Sequence, residues 1–235
     1  MKPVYKRILL KISGEVLAGD KGAGFDFDKI TEICSEIKAC ADMGVQIGLV
    51  VGGGNIWRGR SGAQMDRSRA DQMGMLATVI NALAVQDTLL SLGTNAVVMN
   101  ALDIQRVGMP FNKFTADSLM NEGTVVIFSC GTGNPFFSTD SGAALRAAEL
   151  GADIYFKATN VDGVYDKDPN KHPDAVKYDE ISFEEILEKR LNVMDNTAAA
   201  LALNSHMPML VFNLNSPENI RKAVLGEPIG TVVKY

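Results

Sequence analysis

Lys11 lies one residue from the end of the apolar run "KRILLKI" (6–12), which Ser13 and Gly14 follow at once. A lysine there can guard a sheet edge against aggregation, or it can present a point charge to a phosphate. Two more glycine-rich stretches follow apolar runs in the same way: "GGGNIWRG" (52–59) after "VQIGLVV" (45–51), and "GTGNPFFSTDSGA" (131–143) after "TVVIFS" (124–129). Glycine lets a backbone close on phosphate oxygens, and a following helix N-terminus adds a favourable dipole. Any one of these loops could be an ordinary turn. Three of them after strands suggest a polyanionic ligand.

Charged and aromatic residues flank the loops. Arg58 follows the triple glycine, Asp71 opens the stretch "DQMGMLATVINALAVQDTLL", and Asp140 starts the segment after the third loop. Each has an ordinary role as surface arginine, dipole partner or helix cap, or it faces the same cleft as the glycines; spacing leaves both open. Phe136 and Phe137 either tuck inward or hold something flat. The patterns GxxxxGK[ST] and GxGxxG are both absent, which excludes the common nucleotide motifs.

The elements that must position these groups alternate. Strands are expected at 6–12, 45–51, 95–100, 124–129, 153–158, 208–213 and 230–234, with helices near 28–43, 67–92, 114–121, 140–150, 182–190, 195–205 and 217–225. That rhythm predicts an α/β fold with a mainly parallel sheet, whose ligands sit beyond the carboxyl ends of the strands. Residues 159–181, with Pro169 and Pro173, break it and read as a β-hairpin and loop between two lobes, about 1–150 and 151–235, of one domain.

Composition narrows the class. A 235-residue chain that is 46% hydrophobic can bury a large core, and 23 Lys+Arg against 28 Asp+Glu give −5, the wrong sign for a nucleic-acid binder. Cys34, Cys40 and Cys130 form no CxxC, and His172 and His206 complete no zinc pattern, so the thiols read as buried residues of a reduced cytoplasmic protein. The N-terminal apolar run is cut by Lys11 and reads as a strand rather than a signal peptide. No run is expected to approach the length needed to cross a bilayer, so no membrane partner is expected.

Taken together, "KISGE", "GGGNIWRG", "DQMGMLATVINALA", "TGNPFFSTDSGAALRAAE" and "KATNVDGVYDKDP" resemble the bacterial uridylate (UMP) kinases of the amino acid kinase superfamily. The resemblance implies a three-layer α/β/α sandwich, a homohexamer in the cytoplasm, ATP with Mg²⁺, activation by GTP and inhibition by UTP. Carried onto this chain, the ATP contacts fall on Lys11, Ile12, Ser13, Gly14, Gly54 and Arg58, then on Thr159 or Asn160, Tyr165 and Asp168. The UMP contacts fall on Gly53, Asp71 and the run Thr132, Gly133, Asn134, Pro135, Phe136, Phe137, Ser138 and Thr139. The GTP-linked segment falls on Gly19, Asp20, Lys21, Gly22, Ala23 and Gly24, where "GDKGAG" departs from the "GTEGFG" of some members.

The implied reaction is ATP + UMP → ADP + UDP, in pyrimidine nucleotide synthesis. An acceptor phosphate is already an anion, so no general base is required, and neutralising the transferring group is the main task. Lys11 and Arg58 would meet phosphate, Lys157 would be a second cation or else an exposed strand-end lysine, and Asp140 would orient the lysines. No acidic pair forms an obvious metal cage, so no protein metal ligand is expected; Mg²⁺ would ride on the substrate phosphates. The rival readings are a superfamily enzyme acting on a carboxylate or carbamate, and a nucleotide-binding regulator without turnover.

Overall fold

The computed structural model describes residues 2–57 and 64–235. Its elements run β1 (Arg7–Ile12), α1 (Gly14–Leu17), α2 (Phe27–Asp42), β2 (Gln46–Val51), α3 (Arg67–Ser91), β3 (Ala96–Asn100), β4 (Met109–Pro110), α4 (Lys113–Asn121), β5 (Val125–Ser129) and α5 (Thr139–Leu150). They continue β6 (Ile154–Thr159), β7 (Val164–Tyr165), β8 (Lys177–Tyr178), β9 (Glu180–Ser182), α6 (Phe183–Glu188), α7 (Asn196–Asn204), β10 (Met209–Asn213), α8 (Asn219–Val224) and β11 (Thr231–Lys234). Every strand and helix expected from the sequence is present, with ends within two residues. The hairpin expected in 159–181 is the antiparallel pair β7–β8.

Among the described residues nine strands form one sheet, in the order β4-β3-β5-β2-β1-β6-β10-β11-β9, parallel except for β10 with β11. Central strands such as "RILLKI" and "VVIFS" are apolar on both faces because helices cover both. One core packs α2, the second half of α3 and α8 against Ile8, Leu10 and Ile12 of β1. The other packs α4, α5, α6 and α7 around Leu9, Tyr155 and Val211. Strand alternation therefore sends Lys11 toward the α5–α7 side, together with Leu9.

From β1 the chain winds outward through β2, β3 and β4, returns to β5 between β3 and β2, then crosses through α5 to β6 on the other flank of β1. The loops at the carboxyl ends of the parallel strands β1, β2, β5 and β6 lie along one edge of the sheet, where the winding reverses. Lys11 lies on a strand paired on both sides, which rules out the edge-guard role.

One expectation is corrected. Helix α3 contains an 18-residue window of mean hydropathy 1.4, long and apolar enough to cross a bilayer by length and composition. Gln72, Asn81 and Gln86 interrupt the apolar run in the sequence while leaving the helix average high. Half of that window is buried inside the protein.

Candidate active site

Strand pairing places Lys11 of β1 directly beside Lys157 of β6. Two ammonium groups so close repel each other, and Asp140, in the first turn of α5, lies between them: one carboxylate oxygen is 2.9 Å from Lys11 Nζ and the other 2.5 Å from Lys157 Nζ. Lys157 is 7% exposed, so it is no surface strand-end lysine. Asp140 is not the cap of α5 either. Ser138 is: its hydroxyl accepts from the Ser141 N–H at 3.1 Å.

Burial pushes the Asp140 carboxyl up, but Lys11 and Lys157 outweigh it and hold the group far below the ordinary carboxylate range. Burial and the Lys11 charge bring Lys157 down to about 8, against the opposing pull of Asp140 and Asp195. Burial and the Asp140 charge raise the neighbouring Tyr155 phenol, so it stays neutral. The trio keeps one net positive charge in a largely desolvated spot, where a charge acts strongly on a developing anion. Removing one partner of such a buried group typically costs about 3–5 kcal/mol.

Two cavities flank the trio. The first, about 500 Å³, is lined by Lys157, Thr159, Tyr165 and Asp168, and also by Leu191, Asn192 and Val193. Those last three precede α7 and carry no sequence signal that singles them out. The second, about 270 Å³, is lined by Gly53, Gly54, Asp71, Thr132, Asn134, Phe137, Ser138 and Thr139. Lys157 belongs to the first wall, and Asp140 directly follows Thr139 of the second. The trio thus contributes Lys157 to the first and abuts the second through the start of α5.

The other expected site residues fall as follows. Ile12 is wholly buried in the core, so only its backbone can reach a ligand. Gly14 lies so close to the Gly52 carbonyl that a Cβ would come within 2.3 Å of that oxygen; glycine there lets the loops after β1 and β2 touch. Ser13 precedes α1 without a side-chain capping bond. Asn160 lines a different cavity, with Gly19, Asp20 and Gly22, among Glu15, Asp26, Asp28 and Glu32. Lys21 binds the Phe25 carbonyl, Ala23 follows Gly22 in the same turn, and Gly24 exchanges two hydrogen bonds with Asn55. Arg58 lies outside the described residues.

The two phenylalanines diverge. Phe137 lines the second cavity, whereas Phe136 is 68% exposed at φ 73° and lies under the Arg67 guanidinium at 5.6 Å. The Phe136 N–H donates to Asp71 at 2.9 Å, and Arg67 pairs with the same carboxylate. Asp71 thus ties α3 to the third glycine loop. Gly133 packs on the Ala101 carbonyl, and with Pro135 it lies off the cavity wall. The three thiols are buried and free, and burial raises Cys34 and Cys40 to about 12.

Lysines on paired strands bridged by an aspartate between two clefts suit phosphoryl transfer, and known proteins share the arrangement's frame. Residues 6–213 match the amino acid kinase family. A UMP kinase from Bacillus anthracis superposes with a TM-score of 0.94 at 35% identity, over 98% of this chain and 96% of that one. A UMP kinase from Ureaplasma parvum gives 0.92 at 37%, over 100% of both chains. A uridylate kinase from Archaeoglobus fulgidus gives 0.76 at 33%, over 96% and 99%. With the family matched over most of its length and its mainly parallel α/β sheet shared, this chain is a kinase belonging to the amino acid kinase family.

Proposed function

We propose that the protein transfers the γ-phosphoryl group of ATP to UMP, giving ADP and UDP for pyrimidine nucleotide synthesis. The observation that carries this is the Lys11–Asp140–Lys157 trio set between two cavities, with the hydroxyl-rich Thr132–Thr139 loop on one side and Thr159, Tyr165 and Asp168 on the other. ATP occupies the first cavity, with its phosphates directed to Lys11, Lys157 and the loops after β1 and β2. UMP occupies the second, its phosphate near the start of α5 and its ring against Phe137. An acceptor phosphate oxygen attacks the γ-phosphorus as the bond to the ADP oxygen breaks. Lys11 meets the charge on the transferring group, Lys157 that on the leaving oxygens, and Asp140 aims both lysines. Arg58 contributes a further phosphate contact.

Among the described residues no cluster of three or more His, Cys, Asp or Glu could cage a metal, and Asp140 is engaged by two lysines. The residues present suit a Mg²⁺ ion carried in on the ATP phosphates and water, where it neutralises phosphate charge.

The experiment is ADP release with UMP, CMP, dUMP, acetylglutamate, aspartate and carbamate as acceptors. Release with UMP alone supports the proposal; release with none sinks it. The resemblance extends the proposal to GTP activation through residues 19–24, UTP inhibition, and a cytoplasmic homohexamer. Self-association has physical support in Met73, Leu76, Ile80, Leu83 and Leu90, which form an exposed apolar stripe along α3 that a second copy of the same stripe could cover, giving a dimer from which a hexamer can be built. Light scattering would read its mass, and a monomer would refute it.

A further inference from the structure

Asp195 precedes α7 and accepts the Ala198 N–H at 3.0 Å, an ordinary helix cap. The same carboxylate also accepts two hydroxyls from another helix. Ser141 Oγ, in the buried first turn of α5, lies 3.1 Å from one oxygen, and Ser138 Oγ bonds the other. Ser138 is itself the cap of α5. The capping residues of two helices are therefore hydrogen-bonded to each other, and one of those helices carries Asp140 in its first turn.

A negative charge beside a site for two polyanions opposes binding unless its lone pairs are engaged. Here they take one backbone N–H and two hydroxyls, and charge-assisted bonds of this kind are the strong ones. Asp195 also belongs to the set of charges facing Lys157, with Lys11 from β1 and Asp140 from α5, and it favours the ammonium form.

We propose that Asp195 is a positioning residue: it locks the start of α5, and with it Asp140 and the end of the 132–139 loop, to the start of α7. The lock rests on the reading above in one respect, that 132–139 holds the acceptor. It joins the wall of the acceptor cavity to the segment behind the ATP cavity, so the two substrates meet at a fixed separation.

Asp195→Ser tests it. Serine caps a helix about as well as aspartate, so α7 keeps its start, but the shorter side chain no longer reaches Ser138 and Ser141. The Michaelis constant for UMP should rise about tenfold, the scale set by losing a charge-assisted hydrogen bond, while that for ATP stays within twofold. Amide exchange at 139–142 should accelerate with no change in the sheet. Ser141→Ala, which leaves both caps in place, should move the UMP constant in the same direction by about threefold, half that free energy. Unchanged UMP constants and unchanged exchange at 139–142 would overturn the proposal. So would UMP and ATP constants rising together with a fall in Tm, which marks a helix cap and nothing more. If the unaltered protein does not turn over UMP, the functional reading fails, and exchange alone still decides the lock.

Discussion

Lys11 and Lys157 stand on paired central strands, joined by one carboxylate and closed over by α5. The stretch from Cys130 to Ser138 has no strand or helix of its own; Cys130 and Phe136 take positive φ, and both Phe136 and Phe137 are exposed. The first region owes its geometry to sheet register, which fixes the spacing of its charges before any ligand arrives. The second is held by individual bonds, which the Phe136 N–H donates to Asp71 and the Ser138 hydroxyl donates to Asp195. On the proposed function, chemistry that needs preorganised charge is thus placed on the sheet, and recognition of the acceptor on a loop held by a few bonds. Two non-glycine residues in the left-handed region cost stability that only their surroundings can offset.

Measurements on the lysines and on the loop press on that contrast. Lys11→Ala should lower kcat at least about a hundredfold, the scale of losing one preorganised donor to a developing anion, with little change in either Michaelis constant. If kcat held and a Michaelis constant rose instead, the strand lysine would be a binding group and the contrast would collapse. A pH profile comes next. Lys157 acts as a cation and its value is depressed to about 8, so kcat/KM for ATP should be full below that pH and fall as pH rises through it. Lys157→Arg, which stays charged, should remove that basic limb. The smallest effects belong to the loop. Phe137→Ala should raise the UMP constant up to about tenfold, the range of an aromatic contact, and leave ATP unaffected. Phe136→Ala should change it about twofold, since that ring faces Arg67 and not the cavity. Equal losses from the two rings would show that the loop closes further over its ligand.

The sheet and its helices were legible because apolar runs of strand length alternate with segments of helical period. β4, β9 and α1 were missed because two to four residues carry no period. The glycine loops pointed to the right edge of the sheet. What the sequence could not express was the pairing across it: Lys11 and Lys157 are neighbours only through the β1–β6 register, and Asp140 read equally well as a cap until Ser138 was seen in that position. The role of Asp195 is hidden in the sequence for a related reason. An aspartate before "NTAAALALN" is an ordinary helix start, and nothing local reports that its carboxylate also reaches α5. Leu191, Asn192 and Val193 line the first cavity from the connection between α6 and α7, a placement that local sequence does not report.

Helix α3 carries Asp71 in its second turn and the apolar residues Met73 to Leu90 along its outer side. Twenty-five residues make a rod about 37 Å long, stiff enough that bracing one side steadies the other. Grip on the acceptor loop through Asp71 and contact along the outer stripe then share a single beam. Any free energy one of them contributes to holding that beam still must appear, with equal size, in the affinity of the other. If the proposed hexamer is built through that stripe, filling the pocket would tighten it, and diluting it would loosen the pocket.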